Sequence, residues 1–167
     1  KITLIESSKN WPQIVNNIKN AINAKDYSNA NFLIHTLTTE QQTELSEIRL
    51  YWLQSTQALI QQKLFTHAED SINAYLAYQG DDTDFLYQQV DLYWQQQQPL
   101  LAIKNAYEVQ YHVYNEAERR SAINFARKLV QQYAEALITN EHWLELSDLA
   151  EEVQVFDSQN LNLQWLF

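Results

Sequence analysis

The chain has 167 residues, of which 46% are hydrophobic and 13% aromatic, with one glycine, two prolines, no cysteine and a net charge of −10. That composition can bury the core of one compact domain or short solenoid and is too apolar for disorder. The scarcity of turn residues argues against sheets and glycine-rich phosphate loops, the missing cysteines against disulfides and thiolate sites, and the acidity against a nucleic-acid partner.

Residues 1–10 read as a lead-in with a short apolar run, Ile2, Leu4 and Ile5. Pro12 suits the first turn of a helix, where a missing N–H costs nothing. Ile14, Val15, Ile18, Ala21 and Ile22 follow at helical spacing. Lys25-Asp26-Tyr27-Ser28 breaks the pattern, and Ala30, Leu33, Ile34 and Leu37 resume it, which predicts a helical hairpin. Thr39 with Gln42 resembles a capping box opening a second hairpin. Its first helix carries Ile48, Trp52, Leu53, Leu59 and Ile60, and its second Ala68, Ile72, Tyr75 and Leu76. Gly80 then stops the chain as a left-handed cap.

A third hairpin pairs a helix bearing Phe85, Leu86, Val90 and Tyr93 with one starting at Pro99 and bearing Ala102, Ile103, Ala106, Tyr107 and Val109. The fourth has a long first helix, about 116–139, with Ile123, Ala126, Leu129, Val130, Tyr133, Ala134, Leu137 and Ile138 on its buried side. Trp143, Leu146, Leu149, Ala150 and Val153 mark the buried side of its partner, closed by Asp157-Ser158-Gln159-Asn160. Leu161, Leu163, Trp165, Leu166 and Phe167 read as the start of a further, truncated helix. That cut end, and Lys1 in place of an initiator methionine, predict a piece of a longer protein. The lack of cysteine and of that methionine suits an exported bacterial protein, and no stretch reaches the roughly 18 apolar residues of a membrane helix.

One signature recurs through these hairpins: Tyr27-x-x-Ala30, Phe65-x-x-Ala68, Pro99-x-x-Ala102 and Trp143-x-x-Leu146, with last members 38, 34 and 44 residues apart. A small residue three places after the turn lets two helices approach closely, where a larger one overpacks. Twelve residues before those anchors stand Ile18, Thr56, Val90 and Ala134, and four earlier Ile14, Trp52, Leu86 and Val130. The pattern resembles the tetratricopeptide repeat, whose period is about 34 residues. The resemblance covers about 11–160. It implies an all-α, right-handed α-solenoid of about four antiparallel helical hairpins, acting as a non-catalytic protein or peptide interaction scaffold.

In such a stack the first helices line a concave groove. The register assigns to it Lys19, Leu53, Gln57, Ile60, Tyr87, Asp91, Trp94, Gln131 and Glu135. Tyr87 and Trp94 are aromatics of the type enriched at binding hot spots; the alternative is that they pack on the neighbouring unit. The carboxylate-binding form of this family needs lysine, asparagine and arginine in the groove, and the equivalent positions here, Lys19, Gln57, Asp91 and Glu135, supply only the lysine. A narrower resemblance, carried by Ala117 through Tyr133-Ala134-Glu135-Ala136-Leu137, Trp143 and Asp157-x-x-Asn160, is to the repeat region of bacterial retropepsin-type aspartyl proteases. It implies an accessory or regulatory domain of a larger protease. The catalytic Asp-Thr-Gly is absent, since Asp82-Thr83-Asp84 lacks the glycine.

The residues suggest no chemistry of their own. His35, His67, His112 and His142 are not paired at metal-binding spacing, and zinc needs three or four converging ligands. Asp81, Asp82 and Asp84 lack the glycine and the terminal glutamate of a calcium loop and read better as helix caps. Arg119, Arg120, Arg127 and Lys128, four of eleven cations, read as a solvated helix face. No cofactor, metal or catalytic residue is expected. A homodimer through the uncapped C-terminal end is a further expectation, because an uncapped repeat leaves an apolar edge.

Overall fold

The computed structural model describes residues 11–37 and 42–160; the lead-in 1–10, Thr39 of the expected capping box and the apolar end 161–167 lie outside them. Among the described residues there are eight α-helices and no strand: α1 (Trp11–Asn23), α2 (Tyr27–His35), α3 (Gln42–Gln61), α4 (Phe65–Gln79), α5 (Thr83–Gln95), α6 (Pro99–Glu108), α7 (Glu116–Thr139) and α8 (Trp143–Phe156). A 3₁₀ turn, Val109–His112, extends α6. The chain divides into two compact units, Lys1–Gly80 and Asp81–Phe167. In the first, α1 pairs with α2 and α3 with α4, while α1 packs on α3 and α2 on α4. In the second, α5 pairs with α6 and α7 with α8, and α6 packs on both α7 and α8.

The recurring signature marks the helix starts: Tyr27, Phe65, Pro99 and Trp143 are the first residues of α2, α4, α6 and α8. Ala30, Ala68 and Ala102 are fully buried and Leu146 nearly so, as close helix approach requires. The turn before each start has one construction. Lys25, Lys63, Gln97 and Glu141 adopt φ of 62°, 59°, 59° and 60°. Their N–H groups donate to the carbonyls of Ile22, Ile60, Trp94 and Ile138, and the N–H of each following residue reaches five back, to Ala21, Leu59, Tyr93 and Leu137. That bond pair is the Schellman closure, which usually places glycine at the left-handed position.

These four exposed turns hold non-glycine residues at positive φ, a conformation costing about 1–2 kcal/mol for a residue with a Cβ. Glycine removes that cost but loses more entropy on folding, roughly 0.5–1 kcal/mol. Lys63→Gly and Gln97→Gly should therefore each stabilise by about 0.5–1 kcal/mol net, read as a higher urea midpoint. A lower midpoint would mean that the replaced side chain holds the turn.

Gly80, expected as a left-handed cap, has φ 88° and ψ −176°. The positive φ is as expected, but the extended ψ lies outside the left-handed helical region, in territory open essentially to glycine alone. Asp82 and Asn115 cap α5 and α7, accepting from the N–H groups of Asp84 and Glu118 at 3.0 and 2.8 Å. The long first helix of the fourth hairpin runs 24 residues and absorbs the widest interval of the signature. Two residues expected in the core are exposed, Ile138 at 39% and Trp143 at 59%. The contrast with Tyr27 explains Trp143. Tyr27 is buried because Trp52 of the next hairpin stacks on it at 5.5 Å, and no described element takes that place for Trp143.

Candidate functional site

The nine groove candidates divide between the two units. In the first, Lys19 on α1 pairs with Glu47 on α3, its ammonium 5.3 Å from the centroid of the Tyr51 ring. Lys19 therefore clamps α1 to α3 in addition to presenting a charge. Leu53 and Gln57 are half-buried on α3. Ile60 is fully buried and belongs to the core, which corrects its place on a lining surface: it lies in the last turn of α3, on the side turned away from solvent.

In the second unit Tyr87, Asp91 and Trp94 share one face of α5, at helical spacings of four and three. Tyr87 is half-buried against Val109, Val113 and Ala122, and meets Phe125 edge-on at 5.1 Å. Burial holds its hydroxyl pKa above the ordinary tyrosine value, with Asp84 and Glu118 adding to the effect. Trp94 packs on the core formed by α5 to α8 while keeping part of its ring exposed. Asp91 accepts from Gln95 Nε2 at 3.1 Å. Gln131 and Glu135 lie exposed on α7, the amide donating to the carboxylate at 2.8 Å. The structure thus groups three candidates on α5 and two on α7, with both aromatics partly packed and partly available.

Two buried polar clusters escaped the sequence reading. In the first unit Trp52 has no exposed surface; its indole N–H donates to Ser71 Oγ at 2.9 Å. Thr56 Oγ1 donates to the Trp52 carbonyl at 3.0 Å, so the 2.7 Å contact between Thr56 and Ser71 is donated by the serine hydroxyl. Tyr27 stacks on one side of the indole and Tyr75 meets it edge-on at 5.4 Å. A cavity of about 180 Å³ lies nearby among Ile34, Leu45, Ile48, Arg49, Tyr75 and Gln79.

In the second unit Arg127 on α7 grips Asp157, just past α8, with both prongs of its guanidinium, Nε to Oδ2 at 2.6 Å and Nη2 to Oδ1 at 2.9 Å. Tyr107 on α6 donates its hydroxyl to the same carboxylate at 3.0 Å. Asn160, also buried, stands behind that hydroxyl, and Phe156 stacks on the Tyr107 ring at 6.1 Å. The Arg127 hydrogen bond holds the Asp157 carboxyl below its ordinary pKa of 3.8, and burial pushes the Tyr107 hydroxyl far above the usual 10.0. Arg127 was expected on a solvated cationic face; Arg119 and Arg120 do lie there, beside Glu116. No local pattern reveals a partner 30 residues away. The cluster ties the end of α8 to α6 and α7, and its tyrosine, held neutral, is a donor and no base.

The chain matches no family model, no curated protein and no solved structure.

His112 meets Asp81 at 2.7 Å and so joins the 3₁₀ turn to the entry of α5. Among the described residues no group of three or more acidic or histidine side chains is placed to hold a metal ion. Nor is any described helix long and apolar enough to cross a membrane.

Proposed function

We propose that this chain is a non-catalytic scaffold of tetratricopeptide-like hairpins, stacked as an α-solenoid, that binds a protein or peptide along its first helices. The observation that carries the reading is the fourfold identity of the hairpin turn, with helix starts at Tyr27, Phe65, Pro99 and Trp143 and a buried residue three places on. Repeated hairpins of this kind stack with their neighbours and leave one wall as a binding surface. Tyr87 and Trp94 are the anchors, since each keeps part of an aromatic ring accessible beside the polar Asp91.

Both anchors also pack, so truncating them tests fold and binding together. A cleaner experiment installs a photo-crosslinking residue at exposed Gln131, on the proposed wall, and at exposed Lys104, on the outer side of α6. Partners should be captured from Gln131 and not from Lys104, and Trp94→Phe should weaken capture while costing no more than about 1 kcal/mol of unfolding free energy. Equal capture from both positions would overturn the groove assignment.

A further inference from the structure

The face by which a hairpin meets the one that follows it is covered in the first and third hairpins and open in the fourth. In the first, Ile22, Tyr27 and Asn31 are buried, Tyr27 under Trp52 of α3, and Asn31 accepting from Gln79 Nε2 of α4 at 2.9 Å. In the third, the same positions hold Trp94, Pro99 and Ile103, and Tyr107 follows four places on. Ile103 and Tyr107 are buried and Trp94 is half-buried, all three in the core shared with α7 and α8. The counterparts in the fourth are Ile138, Trp143, Ser147 and Glu151, and all four are exposed. An isoleucine and a tryptophan thus stand in water at positions that the earlier hairpins pack against a following helix.

The first hairpin shows how such a face is covered. Near the end of α2, Ile34 lines one cavity with Leu45 and Ile48, while Tyr27 at its start stacks on Trp52, so α3 runs back along α2 from end to start. Trp52 stands seventeen residues beyond His35, the last residue of α2. The same count from Phe156, the last residue of α8, passes through the apolar run Leu161, Leu163, Trp165, Leu166 and Phe167 and falls six places beyond it. Asn160 is buried and bonded to the Tyr107 hydroxyl, which fixes the point from which that run departs. A helix returning from there needs about 13 residues, roughly 20 Å, to pass from the level of Phe156 to that of Trp143. Both counts place the cover of Trp143 in the same short stretch.

We infer that the open face of α7 and α8 seats the first helix of a fifth hairpin, supplied by the chain that follows Asn160. Its apolar run, beginning at Leu161, passes over Glu151 and Ser147, and a large apolar residue beyond Phe167 covers Trp143 as Trp52 covers Tyr27. The inference rests on the tetratricopeptide-like reading proposed above. The test compares residues 1–167 with the same chain carried on through the residues that follow Phe167 in its gene, by hydroxyl-radical footprinting read with mass spectrometry. Trp143 should oxidise readily in the shorter chain and at least about fivefold more slowly in the longer one, as covering an indole requires. Fully exposed Tyr114 should react alike in both. Trp143→Ser should leave the urea midpoint of the shorter chain nearly unchanged and lower that of the longer. Equal oxidation of Trp143 in the two chains, or a gene that ends before the sixth further residue, would overturn the inference. So would protection that disappears on dilution, because the cover would then be a second copy. Capture from Gln131 is read on the shorter chain, so the groove and the fifth hairpin can fail separately.

Discussion

Replacing Arg127 by methionine should destabilise the second unit by roughly 3–5 kcal/mol, the cost of stranding a buried charge. The Asp157 side chain is only 7% exposed, whereas that of Arg127 is 32% exposed. Removing the arginine therefore leaves a largely buried carboxylate without its charged partner, with the Tyr107 hydroxyl as its main remaining side-chain donor. Asp157→Asn should cost less, about 1–3 kcal/mol, because the abandoned guanidinium can rehydrate and the amide keeps an oxygen for Tyr107. Arg127→Lys should recover only part of the loss, since an ammonium cannot form both prongs. Arg127→Met combined with Asp157→Leu should be milder than Arg127→Met alone, because a matched apolar pair strands no charge. Urea unfolding with amide exchange along α6 and α7 measures all four. Arg127→Met as stable as the parent would mean that the pair is an ordinary surface contact.

The pH dependence has a defined sign at both ends. Asp157 is lowered in the folded chain, so its stabilisation is present above 3.8 and is lost as pH falls through the still lower folded value. Tyr107 is raised, so its contribution is complete below 10.0 and is lost as pH climbs beyond it. In Arg127→Met the carboxyl loses its largest lowering influence. The variant's deficit should consequently shrink on mild acidification, where protonation discharges the stranded group. A deficit that grows on acidification would contradict this account.

Trp52→Ala should cost the first unit about 3–5 kcal/mol, as large-to-small changes at a fully buried aromatic do. It removes the stack on Tyr27, which joins the first hairpin to the second, and the edge contact with Tyr75 inside the second. Trp52→Phe keeps a ring in place but leaves Ser71 Oγ without its indole donor, for an expected loss of about 1–3 kcal/mol. Ser71→Ala strands the indole N–H instead and should cost a similar amount. Combining Trp52→Phe with Ser71→Ala should cost clearly less than the sum, because the indole N–H that the second change would strand is already gone, leaving only the Thr56 contact to lose. Strict additivity would show that the 2.9 Å bond contributes nothing. Because Trp52 and Arg127 belong to separate compact units, their effects should add, each confined to exchange in its own unit.

Hairpin positions were legible because they depend on local features. Tyr27-x-x-Ala30 and its three counterparts each announce a helix start and a close approach within four residues of chain. The Schellman turns were not legible, because the usual glycine is replaced by Lys25, Lys63, Gln97 and Glu141, which carry no turn signal of their own. The single glycine drew attention to residue 80, where the backbone is extended instead of left-handed helical. Among the groove candidates, Tyr87 and Trp94 lie half-buried on one face of α5, while Ile60 is core. Helical period alone cannot tell the last buried turn from the first exposed one.

The sequence by itself determined an all-helical chain, the start of each second helix, the buried alanines and the long α7, because helical periodicity and turn chemistry act over a few residues. Tertiary structure alone decided the rest. It set the partners of Arg127, Tyr107 and Asp157, drawn from three elements, and the Trp52–Ser71–Thr56 cluster, in which two of the residues lie on α3 and the third on α4. It also left Trp143 exposed where Tyr27 is covered. In each case the outcome depends on which surfaces meet across the chain, and a buried charge or hydroxyl finds its partner wherever packing excludes water, however far away in sequence.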